Sequence, residues 1–266
     1  MEKENKNTSL DLLGIQPISK AIDTTVEKSF QGVESFLQMV CVPALEELGL
    51  MFRDKIRYWR FNNILQILKK SKGKLEFQNE QLQIQAHPRV ALGIIDNGSL
   101  IDNEELQDMW AGLFVSSCTK WGQNDENLIF VDLLKQLTLA QARIMKYTCE
   151  RVRKVFFKNG LIMSDDAINI DFKLLTEISE VNEYYRLDRE LDHLRTLGLI
   201  GGSEFSYGGG FDIEDNELSA YIQPTPLALN MYVKCQGHNN DPRFYWTNNI
   251  ITEEEWRKEK EEKASR

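Results

Sequence analysis

A helix that is apolar on two sides must sit between other elements, and one segment of this sequence reads as such a helix. From Pro43 to about Ser71 the residues Leu48, Phe52, Ile56, Trp59 and Asn63 recur at steps of three and four, while Tyr58, Phe61, Leu65 and Leu68 make a second row. A surface helix needs one apolar stripe. Two stripes require packing on both flanks, so the segment predicts the central helix of a bundle, with Trp59, Ile56 and Tyr58 in its core. Arg53, Arg57 and Arg60 fall on a third stripe, apart from most of the rings. Residues 50 to 75 hold eight bases against Asp54 alone, a local charge of +7 in a chain of 266 residues with a formal net charge of -9.

A complementary acidic block follows. His87 to Cys118 starts with Pro88 at a helix beginning and breaks at Asn97-Gly98. It then resumes with Asp102 as the expected N-cap of a helix through Leu106, Met109, Trp110, Leu113 and Phe114. Asp96, Asp102, Glu104, Glu105 and Asp108 supply five acids there with no base among them. Two readings compete for the basic stripe: an external anion site, or pairing with this acidic helix inside the bundle. The second is preferred, with Arg57 and Arg60 meeting Asp102, Glu104, Glu105 or Asp108, because opposite charges within one domain can satisfy each other locally.

The polar, turn-rich residues 119 to 128 mark a soft boundary, beyond which the back half reads as a sequence of helices and one hairpin. Residues 130 to 137, 137 to 157 and a shorter stretch from Asp171 have helical patterning, and NEYYRLDRELDHLRTLGLIGG runs helically until Gly198. LIGG, the glycine-rich SYGGGFD and LSAYIQPTP then read as two short strands around a flexible tip, and Thr225-Pro226 starts the helix LALNMYVKC. The fold expected is mainly α: an N-terminal helical bundle (17 to 122) followed by a winged helix-turn-helix-like domain with a small β-hairpin wing (128 to 237). A flexible N-terminus (1 to 16) and a charged C-terminal extension (238 to 266) flank them. In the extension, Phe244, Tyr245 and Trp246 could dock back on the domain or bind a partner.

Charge decides what the winged-helix-like part contacts. Between Gly160 and Ala220 there are fourteen acids and four bases, a balance of -10, so this surface would repel a nucleic-acid duplex where low salt should favour binding most. A protein partner is therefore the default expectation.

Catalytic patterns are thin. The chain has no HExxH, GxxxxGK[ST] or GxSxG, its three histidines lack converging partners, and its glycine clusters lack the strand-loop-helix setting of a phosphate cradle. Asp165-Asp166 and Asp212 with Glu214 could bind magnesium, but no lysine stands in register with them. No catalytic residue, cofactor or metal is assigned. Cys41, Cys118, Cys149 and Cys235 are far apart without zinc-ligand spacing and read as buried thiols. No apolar run approaches the ~20 residues of a membrane span, so the chain reads as cytoplasmic. Association with a membrane surface through residues 17 to 45, and homo-oligomerisation, stay open.

Several blocks together resemble the abortive-infection alpha (Abi-alpha) family of bacterial phage-defence proteins, over about residues 17 to 236. They are ALEELGLMFRDKIRYWRFNNILQILKKS, HPRVALGIIDNGSLIDNEELQDMWAGLFVSSC, FVDLLKQLTLAQARIMKY, LDHLRTLGLI and TPLALNMYVKC. The most specific parts are Arg57, Tyr58, Trp59 and Arg60 with Asn62 and Asn63, and the block from Leu100 through Asp102, Glu104, Glu105 and Gln107 to Trp110. The resemblance implies a role in halting infected cells and carries no catalytic residue set. The expectation is a non-enzymatic sensor, adaptor or effector working through protein contacts with a phage product or host target. The alternative is a winged-helix transcriptional regulator that binds DNA through some basic face.

Overall fold

The computed structural model describes residues 24–42, 55–77, 84–201, 211–214 and 217–265, and the chain divides into two compact units, Met1–Lys135 and Gln136–Arg266. The described residues hold ten α-helices and three small sheets, so the protein is mainly helical.

The first unit comprises α1 (Thr24–Val40), α2 (Lys55–Phe77), α3 (Pro88–Gly98), α4 (Glu104–Ser116) and α5 (Leu128–Leu134). A two-residue antiparallel pair, β1 (Gln85–Ala86) with β2 (Cys118–Thr119), ties its loops together. Helix α2 is central and contacts α1, α3 and α4. It buries Phe61, Ile64, Leu65, Ile67 and Leu68 against Trp110, Leu113 and Phe114 of α4, with Phe36 of α1 meeting Phe114 at 5.9 Å between ring centroids. Each of these large side chains contributes about 1.5–3 kcal/mol by leaving water.

In the second apolar row of α2, Phe61, Leu65 and Leu68 are buried as the spacing predicts and Tyr58 is only half-buried. In the first row Asn63 is buried, but Trp59, expected in the core, is 40% exposed. The helical row through Trp59 continues into Asn62, Gln66, Lys69 and Gly73, which are polar or bare, so that side faces outward. Leu48, Phe52, Arg53 and the side chains of Ile56 and Arg57 lie outside the described residues. In α4 the N-cap is Asn103, not Asp102. Its side chain accepts from Glu105 N at 3.0 Å and Leu106 N at 3.1 Å, positions that Asp102, one residue earlier, does not serve. Gly98 closes α3 where a Cβ would lie 3.0 Å from Ile67 Cδ1, so the glycine there is a matter of close helix approach.

The second unit runs α6 (Leu139–Arg151), β3 (Lys154–Phe156), β4 (Ile162–Ser164), β5 (Ile168–Asp171), α7 (Phe172–Ser179), α8 (Tyr184–Thr196), β6 (Phe211–Glu214) and β7 (Glu217–Ile222). It then continues through α9 (Pro226–Cys235), a 3-10 turn at Pro242–Phe244, β8 (Ile250–Thr252) and α10 (Glu253–Ala264). One sheet has the order β5-β7-β6, all antiparallel, with Ile170 opposite Ala220 and Phe211 opposite the same Ala220 from the other side. The other has the order β4-β3-β8, in which β8 runs parallel to β3 and pairs Ile251 with Val155.

Three sequence expectations change here. The helix expected to run to Phe157 stops at Arg151, because Val155, Phe156 and Phe157 prefer extended backbone and Asn159-Gly160 then turns the chain. Gly160 has φ 94°, and Phe157 N donates to Leu161 O at 3.0 Å. A strand, β5, precedes α7. Phe211 and Asp212, expected in the flexible tip, belong to a strand, β6, which pairs with β7 and places Glu214 opposite Glu217. LIGG contributes only a bridge from Ile200 to Pro224, and residues 202–210 lie outside the described residues.

Gly198, with φ 69°, ends the turn after α8, and Thr225 Oγ1 caps α9 by accepting from Ala228 N at 3.2 Å, both as the sequence predicts. All four cysteines are buried thiols outside any disulfide. Burial pushes the Cys118 and Cys235 thiols up to about 12.

Candidate functional site

In the first unit the basic and acidic elements meet at the end of α3 and the start of α4. Arg60 Nε donates to Ser99 Oγ at 2.9 Å, and its terminal nitrogen reaches Asp96 Oδ1 at 2.7 Å and the Asp96 carbonyl at 3.2 Å. One turn on, buried Asn63 donates from Nδ2 to the Ser99 carbonyl at 3.0 Å. Farther along α2, Lys70 Nζ pairs with Asp108 at 2.9 Å and Glu104 at 3.4 Å. Helix α2 is thus fastened to the end of α3 through Arg60 and Asn63 and to α4 through Lys70.

The partners are only partly those expected. Arg60 takes Asp96 instead of an acid of α4, and it is Lys70 that reaches α4. The reason is axial distance: Arg60 stands at the early end of α2, beside the loop after α3, and Lys70 lies ten residues, about 15 Å, farther along. Asp102 is exposed and remains outside the cluster. Glu105 is exposed in the first turn of α4, Asn62 is half-buried, and Trp110 is fully buried beneath Gly98. With side-chain exposures of 25% and 76%, Arg60 and Asp96 contribute no more than about 1 kcal/mol, so the cluster sets register more than stability.

In the second unit α8 packs inward through Leu187, Leu191, Leu194 and the buried Glu190. The Glu190 carboxylate accepts from Thr138 Oγ1 at 2.8 Å, and the side chain of Gln141 lies 3.0 Å from His193 Nδ1, anchoring α8 on α6. The opposite face presents Tyr184, 54% exposed, and Tyr185, 74% exposed, followed by Asp188, Arg189, Asp192 and Thr196. Tyr184 also stacks on Phe172 of α7, with centroids 3.8 Å apart and planes at 22°.

Behind these elements is a polar interior that sequence reasoning missed. Lys154 is fully buried; its Nζ donates to the Glu150 carbonyl at 3.0 Å and sits 4.1 Å from the Trp246 ring centroid. Burial pulls its pKa down to about 8, with Cys149 and Glu150 opposing the shift. Trp246 stacks on Tyr232 at 5.4 Å, and Tyr232 donates to Glu150 Oε1 at 2.6 Å. The extension therefore docks back through Trp246 and half-buried Tyr245, while Phe244 stays 76% exposed.

Asp165 anchors α10. Its carboxylate accepts from Trp256 Nε1 at 2.6 Å, from Arg153 Nε at 2.8 Å and from the Arg153 terminal nitrogen, and Lys260 lies 3.5 Å away. Burial alone would raise the Asp165 pKa, but the donors from Arg153 and Trp256 outweigh it and hold the group below the ordinary carboxylate value. The sequence signals for this arrangement were the capping box Thr252 to Glu255 and the hairpin dipeptide Asn159-Gly160. Nothing local pairs Lys154 with a tryptophan 92 positions later.

For chemistry the described residues offer little. They contain no group of three or more His, Cys, Asp or Glu side chains placed to hold a metal ion. Asp165 is occupied by cations, His87 caps α3, and His238 contacts the Asp241 carbonyl. No helix among the described residues is long and apolar enough to cross a membrane.

No curated protein and no solved structure matches the chain. A family model described as Abortive infection alpha matches residues 60–228, a narrower span than the sequence blocks suggest. It begins at Arg60, just after Arg57, Tyr58 and Trp59, and ends inside α9, before Trp246 and α10. With well over half its length matched, this chain belongs to the abortive infection alpha family.

Proposed function

We propose that this protein acts in bacterial defence against phage by abortive infection, as a non-enzymatic sensor, adaptor or effector that works through protein contacts. Its family supports the defence role. The order helix α6, strand β5, helices α7 and α8, then hairpin β6–β7, with β5 joined to the hairpin through β7, supports reading the second unit as a winged helix. The observation that carries the protein-contact reading is the outward face of α8. In a DNA-reading winged helix this face supplies bases to phosphates and base edges, and here it supplies two exposed tyrosines and the carboxylates of Asp188 and Asp192 beside Arg189.

The first unit serves this role as a sensing surface or hinge. Arg60, Asn63, Lys70, Asp96, Glu104 and Asp108 join its helices through polar contacts that a binding event could exchange at low cost. The test is a phage challenge of cells expressing the protein at high and low phage-to-cell ratios. Reduced phage yield with loss of infected cells at the high ratio is expected; unchanged yield and survival would reject the defence role.

The order of elements in the second unit also favours a DNA-binding regulator. Retention on duplex DNA that falls steeply with salt would establish that reading in place of the first, since each phosphate contact releases counterions. No retention at low salt is expected.

A further inference from the structure

We infer that this protein self-associates into a two-fold dimer, in which Phe244 of each copy enters a cleft at the edge of the other copy's Phe244. This goes beyond the defence reading and does not depend on it.

The cleft has a volume of about 450 Å³ and lies where the end of β3, the 3-10 turn and the start of α10 come together. Phe156, Phe157 and Phe244 line it, and the charged residues around them are Lys158, Arg243, Glu253 and Glu254. Each of those charges already has a partner. Lys158 Nζ lies 2.5 Å from Glu254 Oε1, Arg257 lies 2.7 Å from Glu253 Oε1, and Arg243 Nε lies 3.0 Å from both carboxylate oxygens of Asp241. Three cations thus stand against three carboxylates, and the mouth steers neither a polyanion nor a polycation towards itself. What its rings can take up is an uncharged apolar group.

The chain itself presents such a group at the edge of the cleft. Phe244 is 76% exposed, although the next two residues, Tyr245 and Trp246, turn inward. Its backbone is fixed by three hydrogen bonds. Asp241 Oδ1 accepts from Arg243 N at 2.9 Å, the Asp241 carbonyl accepts from Phe244 N at 3.0 Å, and Arg243 Nη1 donates to the Phe157 carbonyl at 3.1 Å. This network ties the turn to the end of β3 and holds the exposed ring in place before any partner arrives, which lowers the cost of ordering it on contact. A preformed aromatic knob entering a ring-lined cleft is the kind of contact that dominates interface energetics. Leu161, 63% exposed, follows Gly160, where a Cβ would lie 3.8 Å from Arg243 Nη2, so a second apolar side chain stands next to the patch.

A second copy is the occupant this surface fits. Knob and cleft share one patch, which is the condition for an isologous contact: about a two-fold axis each Phe244 meets the cleft of the other copy. The rim is self-complementary for the same reason, since Lys158 of one copy can face Glu254 of the other. These side chains are 77% and 67% exposed, so exchanging a partner within the copy for one across the axis costs little. One ring per copy makes a small interface, and the dimer is therefore weak and reversible.

The experiment is sedimentation velocity on the full chain over a wide range of concentration. The parent is expected to pass from monomer to dimer and to stop there. Phe244→Ala should weaken the dimer by about a hundredfold, because each dimer loses two rings that contribute about tenfold each. Trp121→Ala, which removes a 67% exposed ring from the first unit, should leave it unchanged. Lys158→Glu and Glu254→Lys should each weaken the dimer, because each gives the mouth a surplus of one sign. An equimolar mixture of the two should associate better than either alone in low salt and lose that gain in high salt. Circular dichroism checks that every variant folds.

The inference is overturned if the parent stays monomeric throughout, if Phe244→Ala dimerises as strongly as Trp121→Ala, or if the mixture associates no better than its components. Assembly that continues past the dimer would also overturn it, since that shows a head-to-tail contact in place of a two-fold one. The phage challenge is read separately: protection by a monomeric protein rejects the dimer alone, and a dimer in cells that gain no protection rejects the defence reading alone.

Discussion

Replacing Asp165 with alanine tests whether α10 is held by one buried carboxylate. The Asp165 side chain is 3% exposed, and it accepts from Trp256 Nε1 at 2.6 Å and from two nitrogens of Arg153, with Lys260 at 3.5 Å. A hydrogen bond to a charged acceptor contributes about 1.5–3 kcal/mol, which sets the Trp256 share. Arg153 and Lys260 are 39% and 41% exposed, and Arg153 keeps Glu259 at 2.7 Å after the change, so solvent screening reduces their combined share to about 1 kcal/mol. The total is about 3 kcal/mol, at the lower end of what breaking a buried ion pair costs. Asp166, 65% exposed, is the control, and Asp166→Ala should cost less than about 0.5 kcal/mol. Urea unfolding and limited proteolysis of α10 measure both. Asp165→Ala should lower the midpoint and hasten cleavage within 253–264. An Asp165→Ala protein with the same midpoint and cleavage rate as Asp166→Ala would refute the argument. The sign with pH follows from the depressed carboxylate. Its contribution is fully present above the ordinary value of 3.8 and is lost as pH falls through the lower folded value, so the parent but not Asp165→Ala should lose this increment in acid.

The folded Lys154 pKa of about 8 lies below its ordinary 10.5, so the folded state binds fewer protons and stability rises with pH between the two values. The stability of Lys154→Met relative to the parent should therefore fall by about 2 kcal/mol between about pH 7 and pH 9.5 in chemical unfolding, a comparison in which the buried thiols common to both proteins cancel. Trp246→Ala removes a ring stacked on Tyr232 and should cost about 3–5 kcal/mol in the same assay, whereas Phe244→Ala, at a 76% exposed ring, should cost under about 1 kcal/mol. Lys70→Ala should cost under about 1 kcal/mol, with the difference from the parent shrinking in high salt, because Glu104 and Asp108 are 85% and 52% exposed.

What could be read from the chain alone was what neighbouring residues enforce on one another. The apolar row Phe61, Leu65 and Leu68, the Pro88 and Thr225-Pro226 helix starts and the left-handed Gly198 are local, and each stands where its spacing or backbone chemistry puts it. The presence of opposite charges on α2 and its neighbours was equally legible, since composition alone places them there. Their partners were not. Arg60 meets Asp96 and Lys70 meets Asp108 because of where two helices lie along each other, and periodicity says nothing about axial offset. Trp59 turned outward because the neighbours that decide which stripe of a helix is buried belong to other elements. The same limit hid the parallel pairing of β8 with β3, the seating of Trp246 over Lys154 and the grip of Asp165 on α10, for these contacts join residues about 90 to 100 positions apart. Helix spacing and caps act within a turn or two and are written in order along the chain. Which faces meet is settled only when distant segments compete to cover the same apolar surface, and that competition is decided in three dimensions.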